Sequence, residues 1–381
     1  MNGAVVWFVG FHFRYSILPI CPTNSWATGS PVGLVTKRAD LQYRPKMILV
    51  NTRDTLTLAD CGILVPVMPK TSDLVLRHLA DNTREGERPV WMIGRDETKP
   101  TRTDLERVHS PEYVARLLDP YAREREVERT FELITEEGEY HRYDPSSATR
   151  RLGELVDKLF DVCGGSMQCM RRALSRGFCF FLGGGMHHGQ YDYGSGFCLI
   201  NDIVIGIRSL QATGLIRTAW VIDTDAHKGD GTAALCADDE SIITLSIHMG
   251  DSWPLSEPRT RSDGNPNPSF IPSDIEIPVY DGENDAYVEK LANGLERLDA
   301  FPRPDLVVSV YGADPYEHDE LPSTATLRLT LQQMAERDEL IWRFIRDREL
   351  PAAYLHSGGY GHRAWEPTAA FLRRRIAEAS V

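Results

Sequence analysis

A one-domain α/β fold, with a mainly parallel open sheet and helices on both faces, is predicted by three features of the chain. Apolar runs of strand length alternate with helix-period segments from residue 47 to the end. Several runs, among them 178–182, 219–222 and, but for Ser309, 306–310, are apolar rather than alternating, as strands covered on both faces are. No internal repeat and no Pro/Gly/Ser linker divides the stretch from 47 to 381.

Residues 47–50, Met-Ile-Leu-Val, read as the first strand. The apolar stretch 61–69 contains two prolines and reads as a loop, since proline cannot donate to a ladder. Thr71, Ser72 and Asp73 supply N-cap chemistry for a helix carrying Leu74, Leu76 and Leu79. Residues 90–93 suit a short strand. A capped helix is predicted over 103–110, and another opens at Ser110-Pro111, where proline gives up only an N–H that has no helical partner. His109 between them reads as a structural histidine. The charge-dense stretch 124–139 reads as a solvated surface segment. Two helices follow, over 146–163 and 166–175, the second with Met167, Met170 and Leu174 as core contacts. After the strand 178–182 the pattern gives helix 201–211, strand 219–222, strand 242–248 and a polar, proline-containing loop 256–269. An edge strand 275–279, helix 285–298, strand 306–310, helix 329–346, strand 352–355 and a basic helix complete the chain.

Charge and cysteine usage limit the function classes. A net charge of -13 argues against nonspecific nucleic-acid binding, which needs basic surface to displace counterions. Seven cysteines with no Cys-x-x-Cys pair suit a reduced compartment, each as a small buried hydrophobe, and a cytoplasmic location is expected. No stretch is apolar for long enough to span a bilayer, so no membrane role is expected. Residues 5–21 come nearest, but Arg14 interrupts them and no Lys or Arg precedes them as a signal peptide requires. Residues 1–46 lack clear periodicity and are expected to be a peripheral or disordered extension, with the compact fold over 47–381.

Polar groups gather after the strands. Gly183-Gly184-Gly185-Met186-His187-His188 follows one apolar run, and Asp223, Asp225, His227 and Asp230 follow another. Asp314 and Tyr360 follow two more. Ligands of open α/β sheets bind at the carboxyl ends of strands. Strand alternation puts Asp223, Asp225 and His227 on one side. One Asp, one His and a further carboxylate from Asp314 give three N/O ligands to a divalent cation with a position left for water, the open set of a catalytic site. Two carboxylates make the set harder than a three-histidine one, so zinc is favoured with ferrous iron as the alternative. Asp-x-Asp-x-His by itself reads equally well as a satisfied hydrogen-bond cluster; the ordered set of motifs, each after an apolar strand, is hard to explain as packing.

With these residues in view, the chain resembles the zinc-dependent histone deacetylase family, including its bacterial acetyl-amide hydrolases on the arginase/deacetylase fold. The matching pieces are residues 185–188, 196–202, 222–231, 312–314 and 358–360, with 108–113 similar to the family's early segment. The resemblance covers about 47–375 and makes 47–381 the catalytic domain. It implies Asp225, His227 and Asp314 as metal ligands, and the pairs His187–Asp223 and His188–Asp230. In these pairs each carboxylate fixes the imidazole tautomer and raises its basicity. It further implies His188 as general base, His187 as its electrostatic partner, and Tyr360 as donor to the oxyanion. Gly196 and Phe197 match the channel wall, Trp253 falls near a second aromatic, and Leu321 takes the rim position where an acidic residue favours acetylpolyamines. The implied substrate is an acyl-lysine of a protein or peptide, with a small acylated amine as the alternative. Asp223, Asp225, His227 and Ser246 match a structural potassium site. Phe197 and Trp253 alone would read as core residues. Lys228 departs from the family, which often has a second histidine there.

Two rival readings are kept. An arginase-like ureohydrolase needs Asp-x-His-x-Asp for two manganese ions, whereas Gly229 stands two residues after His227. A noncatalytic acyl-lysine binding protein on the same fold would be expected to have lost Tyr360, a ligand or a histidine.

Overall fold

The computed structural model describes the backbone of 48–50 and residues 56–66, 71–81, 91–135 and 137–378. Its centre is a sheet of strands β1 (Ile48–Val50), β2 (Met92–Gly94), β3 (Phe178–Phe181), β4 (Ala219–Asp223), β5 (Ile242–Met249), β6 (Ile275–Val279), β7 (Leu306–Tyr311) and β8 (Ala352–His356). Their spatial order is β2-β1-β3-β8-β7-β4-β5-β6, and every pairing is parallel. All carboxyl ends therefore lie along one edge, and β6 is a sheet edge as the sequence implied.

Alternation along the strands feeds two cores. Cys179, Phe181, Val221, Val308 and Leu355 face one cluster, with Met167, Met170, Ile203 and Ile207 from the helices Glu154–Arg176 and Asp202–Ala212. Phe178, Phe180, Trp220, Ile222 and Tyr354 face the other, with residues of the helices Thr71–Asp81, Tyr287–Leu298, Leu331–Asp347 and Trp365–Glu378. Each such side chain stabilises the fold by about 1.5–3 kcal/mol. Strands buried on both faces favour apolar residues at most positions, which is why these runs do not alternate in sequence.

Three expectations need correction. The helices expected over 146–163 and 166–175 are one helix, Glu154–Arg176, which starts later and runs through Gly164-Gly165 without a break. A side chain at Gly164 would meet the Thr98 carbonyl and one at Gly165 the Phe181 ring, so the glycines let helix and neighbours approach closely. The stretch 124–139 is not a solvated segment throughout. The helix Ala122–Thr130 buries Glu126 and Val127, and Arg116 donates to Glu126 at 2.7 Å. β4 ends at Asp223, so Asp225 and His227 sit in the following loop rather than on a strand face.

The expectation for residues 1–46 lies outside the described residues. Residues Leu41–Val381 cluster as one unit. Among the described residues no helix is long and apolar enough to cross a membrane, and the described cysteines are buried and free.

Candidate active site

The four strands whose ends carry the polar motifs, β3, β8, β7 and β4, are consecutive in the middle of the sheet. The chain fills β1 to β6 first and returns to place β7 and β8 between β3 and β4, which makes this a topological switch point. Asp225, His227 and Asp314 converge there, all buried, with one donor atom from each within 4.8 Å of the others. His227 Nδ1 stands 3.2 Å from Asp225 Oδ1 and 3.2 Å from Asp314 Oδ2.

Neighbouring groups hold these side chains in place. Asp225 Oδ2 accepts the Ser357 hydroxyl at 2.8 Å and the Gly358 N–H at 2.9 Å. Asp314 Oδ1 accepts the Ala226 N–H at 3.0 Å. Ser323 Oγ lies 3.0 Å from His227 Nε2, a partner that leaves Nδ1 directed at the carboxylates. Beneath them, buried Arg337 donates to the carbonyls of Gly312 and Thr224, next to both carboxylate segments. Burial and the Asp225 charge push Asp314 up to about 8. Among the described residues, the ion pairs of Asp225 and Asp314 are with His187 and His227. Two buried carboxylates converging on one imidazole fit a divalent cation, which would relieve their repulsion.

Both expected histidine pairs form. His187 Nδ1 is 2.7 Å from Asp223 Oδ2, and His188 Nδ1 is 2.6 Å from Asp230 Oδ1. Burial alone would lower His187, but the charges of Asp223 and Asp225 raise it to about 9. Burial, together with the charge of His187, takes His188 down to about 4 against the pull of Asp230. Asp230 is itself held by Gln190 Nε2 at 2.9 Å and Ser269 Oγ at 2.5 Å, both on its second oxygen.

A cavity of about 250 Å³ opens above this floor, lined by His188, Gly196, Phe197, His227, Trp253, Leu321 and Tyr360, with Glu132, Arg142, Ser256, Glu257 and Ser323. All four expected channel residues thus face one space. A side chain at Gly196 would lie 2.4 Å from the Trp253 ring and 2.5 Å from His188, so only glycine leaves the passage open. Trp253 packs edge-on against His188 and His227, with centroids 4.6 and 5.7 Å away. Phe197 lies between Phe131 and Tyr360. Burial raises the Tyr360 hydroxyl well above its usual range, so it stays protonated and able to donate.

At the expected potassium residues, Ser246 Oγ lies 2.9 Å from His248 Nδ1 and accepts the Gly229 N–H at 3.4 Å. Lys228 is buried and turned away, its Nζ 2.9 Å from both Glu276 Oε1 and the Ile271 carbonyl. The departure at this position therefore brings its own counter-charge. Gln190, Ser269, Ser323, Asp319 and Arg337 were not anticipated. They arrive from loops and helices with no motif of their own. Asp202 lay within a matched segment and accepts the N–H groups of Gly185 and Met186, fixing the turn before the histidines.

Comparison with known proteins gives the family and the fold. A family model described as the histone deacetylase domain matches residues 66–373, most of the chain. The chain belongs to that family. This deacetylase-family chain is 32% identical to an uncharacterised protein of Picosynechococcus over 219 residues, 56% of this chain and 68% of that one. It is 30% identical to histone deacetylase 2 of Arabidopsis thaliana, over 52% of this chain and 48% of the relative. It is 32% identical to the acetoin utilization protein AcuC of Bacillus subtilis, over 37% and 36%. The chain spans about half the length of the plant relatives it matches. A crystal structure of the HDA15 HD domain superposes with a TM-score of 0.59 at 18% identity, covering 87% of this chain and 90% of that one, which shows a shared fold.

Proposed function

We propose that this chain hydrolyses the amide joining an acyl group to a lysine side chain of a protein or peptide, with a divalent cation held by Asp225, His227 and Asp314. One observation carries the reading: these three side chains share a point at the foot of a channel whose floor also presents His187, His188 and Tyr360. An imidazole with two carboxylates suits zinc, and the hardness of the carboxylates leaves ferrous iron as the alternative. Such a cation, when bound, polarises a carbonyl and lowers the pKa of water. Asp223, Asp225, His227 and Ser246 are the proposed seat of a structural potassium ion.

The chain's own residues supply the proton transfers. His188 is neutral, with its Nδ1–H donated to Asp230, and its Nε2 takes a proton from the attacking water. Tyr360 donates its hydroxyl to the carbonyl oxygen as negative charge develops there. His187, protonated between Asp223 and Asp225, stabilises that charge and protonates the leaving nitrogen. The carbon–nitrogen bond breaks, giving a carboxylic acid whose proton passes to the amine, so that a carboxylate and an ammonium leave. The proton held on His188 is released as His187 takes one up. Phe197 and Trp253 line the passage along which an uncharged acyl-lysine stem runs.

A second reading has one observation in its favour. Glu132 and Glu257 line the mouth and suit a cationic amine such as an acylated polyamine. Against it, Arg142 lies 3.6 Å from Glu132, and the rim position is the apolar Leu321. A substrate panel from acetyl-lysine peptides through acetylpolyamines to longer acyl-lysines separates them. Higher kcat/KM on peptides supports the first reading, and higher kcat/KM on polyamines replaces it with the second. Tyr360→Phe is expected to lower kcat by about 10²–10³-fold. Elemental analysis should find one catalytic metal per chain; two manganese ions would point to a ureohydrolase. Tight binding of an acylated amine without turnover would point to a noncatalytic binder.

A further inference from the structure

Tyr360 and the cation set stand on different loops, yet one buried side chain holds the first directly and reaches the second through a single turn. Asp319 lies five residues beyond Asp314 and is 4% exposed. Its Oδ2 accepts the backbone N–H of Tyr360 at 2.7 Å. Its Oδ1 accepts the Leu321 N–H at 2.9 Å and lies 3.1 Å from the Thr324 hydroxyl. The adjacent residue extends the grip. The Glu320 N–H donates to the Tyr360 carbonyl at 3.2 Å, and Glu320 Oε1 accepts the His362 N–H at 3.0 Å. On the other side, the turn Pro322–Thr324 that Asp319 secures carries Ser323, whose Oγ meets His227 Nε2.

We propose that Asp319 is a positioning residue that couples the placement of Tyr360 to the orientation of His227. Glycines stand on both sides of Tyr360, so its backbone has little restraint of its own and takes its position from outside contacts. Asp319 and Glu320 provide those contacts. Through Leu321 and Thr324 the same carboxylate sets Ser323, which accepts the Nε2–H of His227 and fixes the tautomer whose Nδ1 lone pair faces a cation. A shift of Asp319 therefore moves both groups together. The effect on turnover rests on the hydrolase reading above; the effect on cation affinity does not.

Asp319→Asn keeps the side-chain shape but sets an amide donor against one of these N–H groups, and the repulsion displaces the side chain from both Tyr360 and the 321–324 turn. Two measurements on the zinc-loaded enzyme test the coupling: kcat and KM on an acetyl-lysine peptide, alone and combined with Tyr360→Phe, and loss of zinc to a competing chelator. Asp319→Asn should lower kcat by about 10–10²-fold with KM within about threefold. On the Tyr360→Phe background it should cost clearly less than in the parent, because the part of its effect that runs through the Tyr360 hydroxyl is already lost. Zinc affinity should fall by about tenfold, as it should in Ser323→Ala. Zinc affinity in Asp319→Asn within about twofold of the parent overturns the coupling, and so do losses that multiply with Tyr360→Phe. Should Asp319→Asn not fold, Thr324→Val removes one hydroxyl from Asp319 at nearly constant volume, and the same two criteria apply. If the parent turns over no acylated amine, the hydrolase reading falls by itself, and the zinc measurement still decides whether Asp319 reaches the cation site.

Discussion

His187 and His188 are neighbours in sequence, their rings lie 3.9 Å apart, and each is bonded to one aspartate, yet they differ in charge. His187 is held protonated and His188 neutral. The pairing itself cannot explain this, since both have it. The count of surrounding charges does. His187 faces Asp223 and Asp225, whereas Asp230 beside His188 is already occupied by Gln190 and Ser269, and His187 contributes a positive neighbour. A histidine–carboxylate pair thus sets the tautomer, and the wider environment sets the charge.

The largest break in this contrast is His188→Ala. Loss of the neutral base should lower kcat by about 10²–10⁴-fold with the cation still bound, as steady-state kinetics and metal analysis on one sample will report. Retention of more than about a tenth of the activity would remove His188 from that role. Asp223→Asn should make the two histidines alike. His187 loses its hydrogen-bonded carboxylate and keeps Asp225 as the nearest charge, its pKa falls, and turnover drops by about 10–10²-fold; imidazole NMR resonances that still titrate far apart would contradict this account. Ser269→Ala should be milder, a loss of about 3–10-fold, since Asp230 keeps Gln190 and His188.

The smallest effect concerns a third buried histidine, with no carboxylate at all. His109 donates Nδ1–H to the Gln190 carbonyl at 2.8 Å, and its Nε2 accepts the Asn201 N–H at 3.1 Å. Burial takes it down to about 4. The unfolded chain binds this proton more readily, so the stabilisation is complete above about pH 6.5 and is lost as pH falls toward 4. Denaturant titrations at pH 7 and pH 5 should differ by about 1–2 kcal/mol more in the parent than in His109→Gln. Equal pH dependence in both would sink the assignment.

Much of this architecture was legible because it depends on local pattern. Strands buried on both faces are mostly apolar, so the runs before His187, Asp223, Asp314 and Tyr360 located the sheet and pointed to the edge where the candidate site gathers. The rest depends on what arrives from elsewhere. Gly164-Gly165 looked like a helix boundary because nothing nearby announces the Thr98 carbonyl and the Phe181 ring that press against them. Glu126 looked solvated because its partner Arg116 lies on another helix. Gln190, Ser269 and Asp319 are ordinary polar residues on loops, and only the folded chain brings them against Asp230 and Tyr360.

The strand order also bears on how the protein is made. β8, which follows the other described strands in chain order, is the bridge between β2-β1-β3 and β7-β4-β5-β6. A nascent chain paused before Ala352 exposes two unpaired, apolar rims that are complementary to any passing strand. Such long-range parallel pairing is slow to form, so the interval before closure is the one in which this polypeptide is most open to clumping and most in need of chaperones.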